Sequence, residues 1–287
     1  MKVIEADVLG MCFGVRDALK ALAKVEKPSE ATIHGELVHN QEVLYQLERR
    51  GFAQVDEGDR RAIPGTPVVV VTAHGISDRE RRRLADAGKV LVDTTCPLVE
   101  RAHRAALGLQ SQGYFVVVIG KKGHVEVRGI VEDLDRWAVV ERVEEIRDFE
   151  ADRVGVVCQT TTPEPRAREL LAAIESRNPR SEVRFVDTIC LPTKDHQRAV
   201  ERLLRRVSAV VVVGGRNSNN TKALVERCRQ AGATAWHVEA AADLDPAWFD
   251  GIGEVGLTAG TSTLDGTIAE VRRALMAIEA GAEVIRA

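Results

Sequence analysis

An internal repeat, with spacings of 84 and 94 residues, runs through this chain of 287 residues. It is marked by Cys12, Cys96 and Cys190, each of which follows a short strand-like segment and a polar or glycine turn. The stretches DTTCPL at 93–98 and DTICLP at 187–192 are nearly superimposable. The repeat predicts three related units, each of which presents one cysteine in the same kind of loop.

Each unit carries two further polar positions. The first lies 28 residues beyond each cysteine and is occupied, in chain order, by Asn40 (beside His39), His124 and Ser218. The second follows another strand-like run and reads AHG at 73–75, QTT at 159–161 and GTS at 260–262. Parallel α/β units bind ligands at the carboxyl ends of their strands. Three units about a pseudo-threefold axis would therefore gather these side chains in one central cavity.

The pattern of apolar and charged residues predicts an α/β protein with parallel sheets, because strand-like and helix-like stretches alternate. The strand-like runs include 68–71, 90–92, 115–119, 154–157, 183–186, 210–213 and 255–257. The helix-like stretches include 41–50, 78–87, 166–177, 194–207 and 222–231. We expect a pseudo-threefold trefoil of three repeated parallel-sheet α/β units, bounded as 1–95, 96–187 and 188–287.

Composition excludes several classes of partner. The formal net charge is −3 and aromatic residues make up only 4%, so neither a basic field nor base-stacking platforms favour a nucleic-acid partner. The apolar runs are too short to cross a bilayer. The segment MKVIEADVLG lacks the pattern of a signal peptide, so we expect a cytoplasmic protein without a membrane partner.

The five cysteines are an odd number and form no CxxC pair, which argues against a disulfide framework. Three thiolates suit either zinc or an iron–sulfur cluster. Zinc could take a fourth ligand from His74 or His124. A four-iron cubane held by three cysteines would leave one iron open. Buried structural thiols are the other alternative, and for Cys158 and Cys228, which have no repeat partner, packing roles are expected.

The loop histidines His39, His74 and His124 occupy matched positions, and imidazole N–H groups bind phosphate oxygens well. Uncharged donors come from Ser218, Asn219, Asn220 and Ser262. Glu126 follows His124 by two residues, and in an extended segment such positions face the same side. This pairing predicts a carboxyl group that carries protons. No role is assigned to His34, His103, His196 or His237.

Taken together, the motifs closely resemble the IspH/LytB family of 4-hydroxy-3-methylbut-2-enyl diphosphate reductases over nearly the whole length. The motifs are GMCFGV at 10–15, LVHN at 37–40, AHG at 73–75, DTTCPLV at 93–99, GHVE at 123–126, QTT at 159–161, TIC at 188–190 and NSNN at 217–220. Their order and spacing make the resemblance specific, although no single motif would.

The resemblance implies a trefoil around one [4Fe–4S] cluster, with Cys12, Cys96 and Cys190 as ligands and an open apical iron that binds the substrate hydroxyl. Two electrons and two protons would remove that allylic hydroxyl as water, which gives isopentenyl and dimethylallyl diphosphate. Glu126, with Thr160, would supply a proton, and His124 would organise both ends of the substrate. The diphosphate would be held by His39, His74, Ser218, Asn219, Asn220 and Ser262. A ferredoxin or flavodoxin is the expected electron donor.

The third unit departs from the family pattern, which puts the substrate in question more than the cofactor. Asn219 stands where the family has serine, His196 stands where it has arginine, and Thr261 and Leu264 replace an alanine and a proline. Two alternatives therefore accompany the reductase: a diverged paralogue with the same cluster but another substrate, and a non-catalytic iron–sulfur sensor. A zinc-stabilised α/β protein is a third, and it would be colourless.

Overall fold

The computed structural model describes residues 1–58, 60 and 62–284. Its strands are β1 (Lys2–Glu5), β2 (Ala31–Ile33), β3 (Ala53–Gln54), β4 (Val68–Val71), β5 (Val90–Asp93), β6 (Phe115–Ile119), β7 (Trp137–Val140), β8 (Arg153–Cys158), β9 (Glu182–Phe185), β10 (Ala209–Val213), β11 (Thr234–Val238) and β12 (Glu254–Ala259). Its helices are α1 (Phe13–Ala23), α2 (Gln41–Arg49), α3 (Asp78–Asp86), α4 (Pro97–Ser111), α5 (Val125–Val131), α6 (Glu164–Arg177), α7 (Leu191–Leu203), α8 (Asn219–Gln230) and α9 (Asp265–Val284).

These described residues form three four-stranded sheets with one common strand order. The orders are β3-β2-β4-β5, β7-β6-β8-β9 and β11-β10-β12-β1, and every pairing is parallel. Parallel neighbours need long crossovers, and helices supply most of them here. The predicted α/β class with three repeated parallel-sheet units is confirmed. The boundaries at 95/96 and 187/188 and the pseudo-threefold arrangement stay predictions.

The N-terminal strand completes the third sheet. Lys2 pairs with Glu254 and Glu5 pairs with Leu257, so β1 lies beside β12. The chain correspondingly divides into two compact units. The first unit contains residues 1–12, 39–43 and the chain from Leu191 onwards, and the second contains 13–38 and 44–190. Cys12 therefore belongs to the first unit, and Cys96 and Cys190 belong to the second.

The central strands are the most deeply buried parts of each sheet. Val210 to Val213 on β10 and Val116 to Val118 on β6 are fully buried. Continuous valine runs are typical of parallel strands that are covered by helices on both faces. The polar loops at the carboxyl ends of these strands therefore start from rigid positions. Within the described residues, no helix is long and apolar enough to cross a membrane.

Candidate active site

One hydrogen bond recurs at all three repeat cysteines. In each case the cysteine amide donates to a backbone carbonyl in the loop after a neighbouring strand. The pairs are Cys12 with Thr261 at 2.9 Å, Cys96 with Ala73 at 3.1 Å, and Cys190 with Thr160 at 2.9 Å. The three acceptors lie within the AHG, QTT and GTS positions of the sequence repeat. The sequence repeat is thus a repeat of backbone geometry that fixes each thiol.

The turns that lead into Cys96 and Cys190 are also built alike. Oδ1 of Asp93 accepts the amide of Thr95 at 2.9 Å, and Oδ1 of Asp187 accepts the amide of Ile189 at 3.1 Å. Such aspartate turns position the residue that follows. Burial alone would raise the pKa of Asp93, but hydrogen bonds from Thr95 and the guanidinium of Arg81 lower it below its ordinary value.

The polar position 28 residues after each cysteine caps a helix. His124 Nδ1 accepts the amide of Glu126 at 3.1 Å at the start of α5. Ser218 Oγ accepts the amide of Thr221 at 3.3 Å, and Asn40 Oδ1 accepts the amide of Val43 at 3.2 Å. Such caps satisfy amides that the first turn of a helix leaves without an intrahelical acceptor.

The extended conformation expected for the segment through Glu126 is wrong. Helix α5 begins at Val125, so Glu126 lies in its first turn and His124 in the preceding cap. Gly123 has a φ of +76°, which lets the chain turn sharply into the helix. The valine-rich sequence HVEV favours a strand locally, but the histidine cap overrides that preference. His124 and Glu126 are still paired, through a capping hydrogen bond rather than through strand alternation.

Glu126 is a buried carboxyl group, 2% exposed. Its Oε1 accepts the amide of Thr160 at 2.6 Å, and its Oε2 accepts the Thr160 hydroxyl at 2.9 Å. The rings of His74 and His124 meet edge to face, with their centroids 5.5 Å apart. The second unit thus contains the two histidines, the carboxyl group and the threonine together with Cys96 and Cys190.

A glycine lies against one of the repeat thiols, and the sequence alone had assigned it no role. An ideal Cβ built on Gly14 would lie 2.5 Å from Cys96 Sγ, closer than real Cβ atoms approach any neighbour. Gly14 is the second residue after Cys12 in the motif GMCFGV. A glycine so close to a proposed ligand was the sequence signal that could have indicated a close approach. Any side chain at Gly14 would displace the Cys96 thiol.

The two remaining cysteines have a different environment. Cys158 and Cys228 are fully buried in hydrophobic cores, whereas the three repeat cysteines are partly exposed. Burial raises the pKa of the Cys228 thiol to about 11, so it stays protonated and is a poor metal ligand. The packing roles expected for these two cysteines are confirmed.

The first unit gathers the remaining predicted substrate-binding residues. Asn40 Nδ2 donates to the Ser262 carbonyl at 2.8 Å, and Ser262 Oγ donates to the His39 carbonyl at 3.4 Å. An ideal Cβ on Gly215 would lie 2.5 Å from that His39 carbonyl oxygen, so the loop before α8 approaches closely. His39, Ser262 and the loop that leads into Ser218 are therefore neighbours, and Asn219 and Asn220 follow in the first turn of α8.

Asn220 is the most unusual residue of this group. It is 2% exposed, and among the described residues neither atom of its side-chain amide has a hydrogen-bond partner. A buried polar group without a partner costs stability. In the first turn of α8, such a group is suited to bind a ligand that brings its own donors and acceptors.

Local hydrogen bonds to the backbone are present at the positions that depart from the family pattern. His196 is buried, and its ring nitrogens lie 2.8 Å from the Pro192 carbonyl and 3.0 Å from the Gly10 carbonyl, in the loop before Cys12. Thr261 supplies the carbonyl that accepts from Cys12. The turn before Leu264 closes without proline, since the Thr263 amide donates to the carbonyl of Gly260 at 3.0 Å.

The sequence profile described as LytB protein matches residues 3–276. This chain belongs to the LytB family. A relative from Aquifex aeolicus, named 4-hydroxy-3-methylbut-2-enyl diphosphate reductase, is 33% identical over 288 residues, 96% of each chain. A relative of the same name from an Anaeromyxobacter strain is 37% identical over 92% of this chain and 93% of its own.

Solved structures agree with the LytB assignment. A structure described as (E)-4-hydroxy-3-methyl-but-2-enyl diphosphate reductase, the terminal enzyme of the non-mevalonate pathway, is 33% identical with a TM-score of 0.68, covering 96% of this chain and 99% of its own. The E-1-hydroxy-2-methyl-but-2-enyl-4-diphosphate reductase from Plasmodium falciparum is 26% identical with a TM-score of 0.86, covering 95% of this chain and 87% of its own. The family expected from the sequence motifs is confirmed.

Proposed function

We propose that this LytB-family protein is a cytoplasmic 4-hydroxy-3-methylbut-2-enyl diphosphate reductase that binds one [4Fe–4S] cluster through Cys12, Cys96 and Cys190. The observation that carries the reductive role is the buried carboxyl group of Glu126, held by Thr160 in the unit that contains two of these cysteines. A cluster-binding sensor would need the cysteines alone.

The residues present fit an iron–sulfur cluster. Thiolates are its usual ligands, and the three proposed ligands are the partly exposed cysteines rather than the two in the cores. The absence of a side chain at Gly14 leaves space beside the Cys96 sulfur. When bound, the cluster would supply electrons and a Lewis-acidic iron to the substrate.

The reaction balances with two electrons and two protons. The allylic carbon–oxygen bond breaks, the hydroxyl leaves as water, and the allyl group gains a proton on carbon to give isopentenyl or dimethylallyl diphosphate. We assign the proton that makes the hydroxyl a leaving group to Glu126, because its carboxyl group is buried and held through both oxygens. A reduced ferredoxin or flavodoxin would deliver the electrons one at a time.

The diphosphate is assigned to polar residues at the repeat positions. Asn220 can use both amide atoms, and the first turn of α8 presents backbone N–H groups that favour anions. His39, His74, Ser218, Asn219 and Ser262 complete the proposed contacts. His124 is assigned a positioning role, since it caps the helix of Glu126 and contacts the ring of His74.

Five single cysteine-to-alanine variants and Glu126→Gln test this proposal. After anaerobic purification, Cys12→Ala, Cys96→Ala and Cys190→Ala should lose iron and sulfide, while Cys158→Ala and Cys228→Ala should keep them. Glu126→Gln should keep the cluster and lose at least about a hundredfold in kcat. Equal iron in all five cysteine variants would refute the ligand assignment, and full activity of Glu126→Gln would refute the assigned proton donor.

A further inference from the structure

A cavity of about 400 Å³ within the second unit has the buried residue Glu126 in its lining. One wall is the face of α5 formed by Glu126, Gly129 and Ile130, which lie three and four residues apart and so point the same way. Another wall is the face of α4 that contains His103 and Leu107. The volume suffices for several water molecules.

The cavity opens to solvent beside its exposed lining residues. Asp78, Glu100 and Arg104 line it there, and their side chains are at least half exposed. Glu126, by contrast, is almost fully buried. Water that fills the cavity would therefore connect the surface of the second unit with the proposed proton donor.

His103 lies on the wall of this cavity beside a buried aspartate. Its Nε2 lies 2.9 Å from Oδ2 of Asp133, whose side chain is 6% exposed. The same carboxylate accepts the amides of Asp78 at 2.6 Å and Arg79 at 3.1 Å, which hold it in place at the start of α3. A histidine beside a carboxylate is a common arrangement for proton transfer.

We propose that His103 is a proton relay that recharges Glu126 through this cavity between turnovers. The inference rests on the proposed function, in which every turnover removes a proton from Glu126. A proton passes from the His103 imidazolium through water in the cavity to the Glu126 carboxylate, and solvent then reprotonates the imidazole. Histidine suits this step because it gains and loses protons near neutral pH.

Several elements around the cavity contribute ionisable side chains near His103. The ionisable groups that line it or contact His103 are Glu100 and Arg104 on α4, Asp78 and Arg81 on α3, Asp93 at the end of β5, His74 in the loop after β4, Glu126 on α5, and Asp133 after α5. Arg81 pairs with Asp93 and Arg104 pairs with Glu100. The carboxylates of Asp133 and Asp78 thus lie closest to His103, and the side chains at the mouth largely neutralise each other.

His103→Gln is the first test, because glutamine keeps a polar side chain on the cavity wall but cannot carry a proton. With enzyme in excess over substrate, each molecule turns over at most once and Glu126 need not be recharged, so this rate should stay within about twofold of the parent. With substrate in excess, kcat should fall about tenfold, the solvent deuterium isotope effect should rise, and added imidazole should restore the rate. Imidazole should leave the parent unchanged.

A second pair of variants guards against a folding defect in His103→Gln. Leu107→Trp adds bulk to the α4 wall and leaves every ionisable group in place, whereas Leu107→Met keeps the volume. The tryptophan variant should slow multiple turnover but not the first turnover, and the methionine variant should slow neither. An unchanged kcat in both His103→Gln and Leu107→Trp with intact cluster, or an equal loss in single and multiple turnover, would overturn the relay. A parent without any turnover would instead refute the proposed function.

Discussion

Thr160 joins the Glu126 carboxyl group to the Cys190 backbone. Its amide and hydroxyl donate to the two oxygens of Glu126 at 2.6 and 2.9 Å, while its carbonyl accepts the amide of Cys190 at 2.9 Å. The proposed proton donor and a proposed cluster ligand are therefore positioned by one residue in the loop after β8. A shift of the Thr160 backbone should affect both, whereas loss of its hydroxyl alone should affect Glu126.

Thr160→Val keeps the shape of the side chain but removes the hydroxyl that donates to Glu126 Oε2. The buried carboxyl group then loses this donor, which costs about 1–3 kcal/mol of folding stability. We expect the thermal midpoint to fall and kcat to drop at least about tenfold, with the cluster retained. Thr160→Ser, which keeps the hydroxyl, is the matched control and should stay close to the parent. If Thr160→Val and Thr160→Ser had the same thermal midpoint and kcat, the hydroxyl contact would contribute nothing to stability or catalysis.

Gly14→Ala tests the space beside the Cys96 sulfur. The new methyl group would lie 2.5 Å from Sγ, so the thiol must move and we expect the iron and sulfide content to fall by at least about half. Gly108→Ala on α4 is the control, because an ideal Cβ there has no neighbour within 4 Å. That control should gain up to about 1 kcal/mol of stability from helix propensity and keep its cluster. A full cluster in Gly14→Ala would contradict the steric account.

Asn220→Leu separates substrate binding from stability. The substitution is nearly isosteric and removes a buried amide whose two polar atoms have no partner among the described residues. Hydrogen bonds to charged groups are worth about 1.5–3 kcal/mol, so KM should rise at least about tenfold. The thermal midpoint of the substrate-free protein should stay equal or rise. An unchanged KM would remove Asn220 from the diphosphate site.

We expect the folded protein to lose stability at mildly acidic pH because of His34. Burial, and then the charges of Arg60 and Arg83, lower the pKa of His34 below 6.5, although it lies 3.0 Å from Glu80. The folded state therefore binds a proton at His34 less well than the unfolded state does. The contribution of neutral His34 to the free energy of unfolding is complete above about pH 6.5 and decreases as the pH drops further. His34→Gln, with its thermal midpoint followed from about pH 7.5 to 5.5, should show a flatter decline than the parent. Parallel curves would refute the assignment.

The repeated site architecture could be predicted because its signals are local. The aspartate turns at Asp93 and Asp187, and the capping residues at 28 residues from each cysteine, are encoded within a few neighbouring residues. The spacing between repeats then showed that these local pieces recur. The α/β class follows from valine-rich runs such as β10, which are typical of covered parallel strands, and from their alternation with helix-like stretches.

The features that could not be predicted depend on distant or competing interactions. The pairing of β1 with β12 joins residues some 250 positions apart and leaves no local trace. The start of α5 was missed because β-branched residues outweighed the signal of a histidine cap, which is rarer than serine or aspartate. His103 has no repeat partner, and its pairing with Asp133 and the cavity at its side emerge only from the packing of α4 against α5.

The most direct test of the central claim is turnover by the anaerobically purified parent protein. The protein is mixed with a reduced one-electron donor and 4-hydroxy-3-methylbut-2-enyl diphosphate, and the products are identified by mass spectrometry. We predict a brown protein that forms isopentenyl and dimethylallyl diphosphate with two electrons consumed per product. A brown protein with full cluster content and no product would contradict the reductase and favour a paralogue with another substrate.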